Sequence, residues 1–133
     1  MTRDTLSSAV NRFYQAFGEN NPELLKDVAT DDFRIEIPRL EYVPLQATYV
    51  GIAGFKQLLK DREGRIEYTV FELQDRIVGD DAVAVFGHTE GNAIVQGRTF
   101  SHNWVHVFRF TGGRVSVFKE YVDSSEVSAA LAP

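Results

Sequence analysis

With 133 residues, 44% of them hydrophobic and 25% charged, the chain reads as one globular domain, residues 1–133, able to bury roughly two-thirds of its unfolded surface. A net charge of −5 argues against a nucleic-acid partner, whose phosphates demand a basic face. No apolar run reaches the roughly 18 residues of a membrane span, Met1-Thr2-Arg3-Asp4 carries no apolar signal region, and the absence of cysteine excludes disulfides and thiolate chemistry, so the expected compartment is the cytoplasm.

Leu6, Ala9, Val10, Phe13 and Phe17 recur at helical spacing and predict an amphipathic helix of about three turns, stopped near Gly18. Asn21-Pro22-Glu23 reads as an N-cap, a first-turn proline and an acid suited to the helix dipole. A short second helix carrying Leu24, Leu25 and Val28 should follow. Phe33-Arg34-Ile35-Glu36-Ile37 alternates with period two and predicts a strand ended by Pro38. Residues 39–50, with Tyr42, Pro44 and Tyr49, form an irregular stretch of the kind that serves as a lid.

Ile52, Phe55, Leu58 and Leu59 predict a third helix ending near Gly64. Strands are expected over 65–78, 82–91, 98–110 and 114–122, with turns at Gly79-Asp80-Asp81 and Thr111-Gly112-Gly113. Helices at the front and antiparallel strands behind mean α+β: three N-terminal helices packed on a strongly curved, mostly antiparallel sheet. A sheet curved around a helix leaves a cavity at its mouth.

The last hairpin can close in two ways. A two-residue Gly112-Gly113 loop pairs Thr111 with Arg114, sets Trp104 opposite Tyr121 and turns Glu120 away. A three-residue loop, with a left-handed Gly113 in a bulge, pairs Phe110 with Arg114 and sets Trp104 opposite Glu120 and His106 opposite Phe118. A one-residue slip flips every side chain, so the two exclude each other. The second is favoured because it gathers Trp104, His106, Phe108, Phe118 and Glu120 on one face. Arg109, Lys119 and Tyr121 then lie on the other, with Val105, Val107, Val115 and Val117. A sheet apolar on both faces needs two covers. A homodimer through the outer face is the simplest supplier of the second.

Four segments carry a resemblance: Val10-Asn11-Arg12-Phe13-Tyr14; Thr30-Asp31-Asp32-Phe33 leading to Ile37-Pro38; Gly51-Ile52-Ala53-Gly54-Phe55; and His106-Val107-Phe108-Arg109-Phe110-Thr111-Gly112-Gly113-Arg114-Val115. Their order and spacing resemble the NTF2-like superfamily over nearly the whole chain, nearest its SnoaL-like polyketide cyclase and ketosteroid isomerase branch. The resemblance implies the NTF2-like cone and its pocket. Function stays open, because the superfamily includes isomerases, cyclases, dehydratases, epoxide hydrolases and non-enzymatic binders.

Ketosteroid isomerases place an aspartate base just before the proline that ends the first strand, which is Ile37 here. Their phenolic donor falls at Phe13, and the neighbouring Tyr14 is turned about 100° around the helix. Their oxyanion acid falls at His106. These three departures imply that the chain is not a standard ketosteroid isomerase. SnoaL-like cyclases carry an acid/base aspartate on the last strand, seven residues after the turn glycine; counting from Gly113 reaches Glu120.

Glu120 is thus the candidate general acid or base. His106 is either a core histidine satisfied by one backbone carbonyl or a donor that polarises a substrate carbonyl or shares a proton with Glu120. Trp104 serves packing or recognition, and its indole N–H needs a partner if buried. Asp123 could join the site, yet Asp123-Ser124-Ser125-Glu126 also reads as a capping box for a tail helix. Tyr14, Phe17, Tyr42, Tyr49, Phe108 and Phe118 complete the expected pocket lining. His102 and His106, four apart on a strand, stand about 13 Å apart and cannot share an ion. His88 and Glu90 share a face without a third ligand, and the glycines form no phosphate-binding pattern. No metal or cofactor is expected.

The expected function is a cofactor-free lyase, isomerase or cyclase working by acid–base catalysis on a small apolar carbonyl compound, with Glu120 and His106 catalytic. The alternative is a non-catalytic module of the same fold that binds a hydrophobic ligand or dimerises. Epoxide hydration in this superfamily uses an Asp–Arg–Asp set; here Arg109 is predicted outward and Arg98 lies near a strand start.

Overall fold

A computed structural model gives the fold of residues 2–133, the Ser124 side chain aside; Met1 lies outside the described residues. Helix α1 spans Arg3–Glu19 and buries Leu6, Ala9, Val10, Phe13 and Ala16. It is longer than the apolar stripe because its ends are built from caps. The Thr2 hydroxyl accepts from the Thr5 amide at 3.1 Å, and Asn20 closes the helix in a left-handed conformation (φ 51°). The expected second helix is a single 3-10 turn, Pro22–Leu25, capped by Asn21. It stops there because the next residues join the sheet: the Val28 carbonyl accepts from the Val115 amide at 2.8 Å.

Strands β1 (Ala29–Glu36) and β2 (Thr48–Val50) pair antiparallel around an irregular loop. Helix α2 (Gly51–Arg62) follows, then β3 (Ile66–Val78), β4 (Ala82–Ala93), β5 (Arg98–Thr111) and β6 (Arg114–Val122), and helix α3 (Ser124–Leu131) closes the order. Among these elements only α1 is N-terminal, so the expected trio of N-terminal helices is not found. The class is α+β as expected. The six-stranded sheet has the order β2-β1-β6-β5-β4-β3 and is antiparallel except for the β1–β6 pair. Interruptions of register in β1, β3 and β6 bend it around α1. No described helix is long and apolar enough to cross a membrane.

The β5–β6 hairpin takes neither expected register whole. Thr111 pairs with Arg114 across a two-residue Gly112-Gly113 loop, both glycines at positive φ (57° and 79°), as a type I′ turn demands. The three-residue loop is therefore overturned. A bulge at Ser116 then inserts one residue, so that Arg109 pairs with Val117 while Phe110 pairs with Val115. The Ser116 hydroxyl donates to the Arg109 carbonyl across the irregularity at 3.3 Å. Beyond it Phe108 faces Phe118, His106 faces Glu120 and Trp104 faces Val122. The bulge restores the alternation that the shorter loop removes, so Glu120 stays on the face of His106. It also sends Val115 into the core, unlike the outward Val117.

The core lies between α1, α2 and the concave sheet face, centred on Phe13, whose ring stacks on Phe118 at 5.2 Å and meets Phe108 edge-on at 5.4 Å. A second cluster joins Val127, Ala130 and Leu131 of α3 to Ile66, Ala93 and Phe100.

Candidate functional site

Above the Phe13 layer the sheet and helices enclose a cavity of about 520 Å³, within the ~300–1,000 Å³ of small-molecule sites. Alternation along β5 directs Phe100, His102, Trp104 and His106 into it, and Glu120 enters from β6. Tyr14 and Phe17 enter from α1. The residue before Tyr14, Phe13, faces the core with no exposed surface, and the turn of the helix carries Tyr14 round to the cavity.

These groups form one hydrogen-bonded chain. The Tyr14 hydroxyl lies 2.9 Å from His106 Nδ1, and His106 Nε2 lies 2.9 Å from Glu120 Oε2. The His106 side chain is 4% exposed and that of Glu120 28%. A carboxylate only accepts, so Nε2 carries a hydrogen. In the neutral ring Nδ1 is then the acceptor, and Tyr14 donates to it. Burial pushes the Tyr14 hydroxyl well above its ordinary 10.0; the Arg76 charge opposes this and the Glu120 charge adds to it. Tyr14 is therefore a phenol at neutral pH.

Trp104 backs this chain. Its ring stacks on the His106 imidazole at 3.8 Å and 15°, and its indole N–H donates to the Thr89 hydroxyl at 2.7 Å. The ring lies across Gly87, directly opposite on β4, where a Cβ would fall 2.1 Å from Trp104 Cζ2. Gly91 gives Phe100 the same clearance; a Cβ there would fall 2.6 Å from its Cζ.

The sequence profile of the SnoaL-like domain matches residues 10–118, from α1 into β6. The chain belongs to the SnoaL-like domain family. Among solved structures, this SnoaL-like protein is similar to an NTF2-like protein from Burkholderia xenovorans, with 25% identity, 98% of each chain covered and a TM-score of 0.88. It is also similar to TerC co-crystallised with polyporic acid, with 21% identity, 97% of this chain and 99% of that one covered and a TM-score of 0.80. A candidate SnoaL-like polyketide cyclase from Mesorhizobium loti shares the fold at 13% identity, with 91% and 99% covered and a TM-score of 0.69. A search of curated proteins by sequence returned no match.

Of the expected site residues, Glu120, His106, Tyr14, Phe17, Trp104 and Phe118 line the cavity of this SnoaL-like domain. Four others do not. Phe108 has no exposed surface and lies in the core below. Tyr42 is 52% exposed at a positive-φ turn, and Leu40, Val43 and Leu45 of its loop line the cavity instead. Tyr49 is buried, and its hydroxyl donates to Asp61 Oδ2 at 2.7 Å while accepting from the Gln46 amide at 2.8 Å. Asp123 is the N-cap of α3, accepting from the Ser125 amide at 3.3 Å. Ile37, at the isomerase base position, also lines the cavity.

His102 stands further along β5, stacked on Phe100 at 5.8 Å. His88 and Glu90 lie on the outer face, where Asn103 Oδ1 and Glu90 Oε2 take the two ring nitrogens of His88 at 2.9 and 3.1 Å. Arg98 donates to the Ala129 and Ala132 carbonyls at 3.0 and 2.7 Å and anchors α3, while Arg109 is exposed. Neither supplies an arginine for epoxide chemistry. The sequence reading missed Thr89, the two clearance glycines, the wall formed by Tyr68, Phe71 and Leu73 of β3, and Arg62 of α2. The signal for the first three was in β4, where Gly87, Thr89 and Gly91 fall on one strand face.

Proposed function

We propose that this SnoaL-like protein catalyses enolisation of a small apolar carbonyl compound without a cofactor, as the first step of an isomerisation, cyclisation or dehydration. The observation that carries this reading is the continuous Tyr14–His106–Glu120 chain opening into a cavity lined mostly by apolar and aromatic side chains. Glu120 Oε2 is engaged by His106, which leaves Oε1 to take a proton from the carbon beside the carbonyl. The electron pair of that C–H bond becomes the C=C bond of the enolate as the carbonyl π pair moves onto oxygen, where the Tyr14 hydroxyl, with a protonated His106 behind it, donates a hydrogen bond. Protonated Glu120 then returns the proton to another carbon or to a leaving oxygen. We also propose a homodimer in which a second copy covers Phe86, Val105, Val107, Val117 and Tyr121 on the outer face.

The test is solvent deuterium exchange at the α-carbons of 2-tetralone and related aryl ketones, followed by proton NMR. Wild type should exceed the buffer rate, and Glu120→Gln should lose about 10²–10⁴ of that excess while keeping its circular dichroism. Exchange that survives in Glu120→Gln, or a wild type no faster than buffer across the series, would overturn the proposal.

A further inference from the structure

Arg62 is the one arginine or lysine on the cavity wall among the described residues. It stands in the last turn of α2, where Lys60 also complements the negative end of the helix. Lys60 is exposed, as that role requires. Arg62 is half-buried, and its guanidinium lies over the Tyr68 ring, 5.2 Å from the centroid. It has no carboxylate within salt-bridge distance among the described residues. A guanidinium beside a phenol ring, with no carboxylate partner among the described residues, still has N–H donors for a planar, bidentate acceptor.

The path from Arg62 to the acid–base chain is aromatic. The Tyr68 ring lies 6.5 Å from Phe71, which stacks on Trp104 at 5.1 Å and lies 6.4 Å from His106. Although Tyr68 is 41% exposed, its phenol is pushed up to about 12, first by desolvation, then by the Glu120 charge, with Arg62 pulling the other way. The two opposite charges of the cavity thus act on the same phenol in opposite directions.

We propose that Arg62 selects substrates carrying an anionic group, a carboxylate or an acidic enol, at the end of a flat apolar body whose reacting carbon lies at Glu120. This rests on the enolisation reading and adds the class of molecule that the site takes. An uncharged ketone offers a guanidinium on the wall only a single neutral acceptor. A hydrophobic acid satisfies it with a charge-assisted bidentate bond and lays its rings along Tyr68, Phe71 and Trp104.

The test compares 2-naphthoate with uncharged 2-naphthamide by calorimetry, using the indole N–H resonance of Trp104, the single tryptophan, to report cavity occupancy. Wild type should bind the carboxylate about tenfold more tightly than the amide, and both should shift the indole signal. Arg62→Gln should bring the two affinities within about twofold, and Arg62→Lys should retain part of the difference. Added salt should shrink the wild-type preference, a readout that needs no variant. Equal affinity in wild type, an unchanged preference in Arg62→Gln, or carboxylate binding that leaves the indole signal in place would overturn the proposal. Deuterium exchange that depends on Glu120 without any anion preference sinks the Arg62 assignment alone. The preference without exchange sinks the enzymatic reading alone.

Discussion

Replacing Gly87 by alanine tests how the acid–base chain is held. A Cβ at this position would fall 2.1 Å from Cζ2 and 2.4 Å from Cη2 of Trp104, and 2.5 Å from the Glu72 carbonyl oxygen. The indole must yield by more than about 1 Å to reach ordinary contact, and the Glu72 carbonyl of the paired β3 strand must give way as well. Moving it breaks the 2.7 Å bond to Thr89 and the 3.8 Å stack on His106. Overpacking of this kind costs about 1–3 kcal/mol, and a buried donor left unsatisfied costs about 1–3 kcal/mol. The lower chain entropy of alanine in the unfolded state offsets about 0.5–1 kcal/mol. A net loss of about 3 kcal/mol corresponds to a melting temperature about 10 °C lower for a chain of this length. The assay is thermal unfolding followed by far-ultraviolet circular dichroism and by emission from the lone tryptophan. Gly87→Ala combined with Trp104→Phe should be less destabilised than the two single changes added together, with a coupling above about 1 kcal/mol. A Gly87→Ala protein that melts with wild type and keeps its emission spectrum would refute the argument that the indole is seated on this glycine.

Two further outcomes follow from other contacts. Tyr49→Phe removes an acceptor from the Gln46 amide and a donor to Asp61, which should lower stability by about 1–2 kcal/mol near neutral pH. The Tyr49 bond is the largest cause holding the Asp61 carboxyl below its ordinary 3.8, with Gln57 next. Stability from a depressed carboxyl is complete above its unfolded value and is lost as pH falls through the folded one. Urea unfolding should therefore show the gap between wild type and Tyr49→Phe narrowing below about pH 4, and a gap that widens there would contradict the assignment. For the outer face, sedimentation should find a dimer at micromolar concentration and Val107→Asp should yield a folded monomer; a monomeric wild type would remove the proposed second copy.

The limits of β3 to β6, the inward set of β5 and β6 and the cavity-facing side of Glu120 were legible in the sequence, because period-two burial reports which side a residue faces; the start of β1 at Ala29 and the short β2 inside the stretch read as irregular were not. Pairing was not legible. A loop one residue shorter and a bulge at Ser116 each reverse the alternation, and together they leave the far end of β6 facing as it would with the longer loop. Only the position of Val115 records where the extra residue sits. Aromatic character likewise could not separate core from cavity. Phe108 and Trp104 occupy equivalent inward positions on one strand, and α1 decides which of them is covered. Tyr49 was misplaced because its partners, Gln46 and Asp61, lie on a loop and a helix whose meeting no local pattern announces. Tyr14 was expected in the lining, but helix rotation spoke against its standing in for the phenol expected at Phe13; a sheet that wraps α1 gives the next residue round from Phe13 a site of its own.

The chain of three groups has a consequence for how one imidazole could serve both ends of an enolisation. Glu120 can only accept, which places a hydrogen on His106 Nε2 in both charge states of the ring. With the ring neutral, the Tyr14 hydrogen is spent on Nδ1 and the cavity receives no donor from it. A second proton on the ring reverses that bond: Nδ1–H donates to the phenol oxygen, and the phenol hydrogen is released toward the cavity. The same proton places a positive charge between the two groups, on the ring stacked against Trp104 at 3.8 Å. In the proposed enolisation the phenol hydrogen is then free for the carbonyl oxygen, while Glu120 Oε1 is open in both charge states of the ring. Because the indole stack holds the imidazole between Tyr14 and Glu120, displacing it through Gly87→Ala should reduce deuterium exchange more than ketone binding, which ties the packing of β4 to the proposed chemistry of β5 and β6.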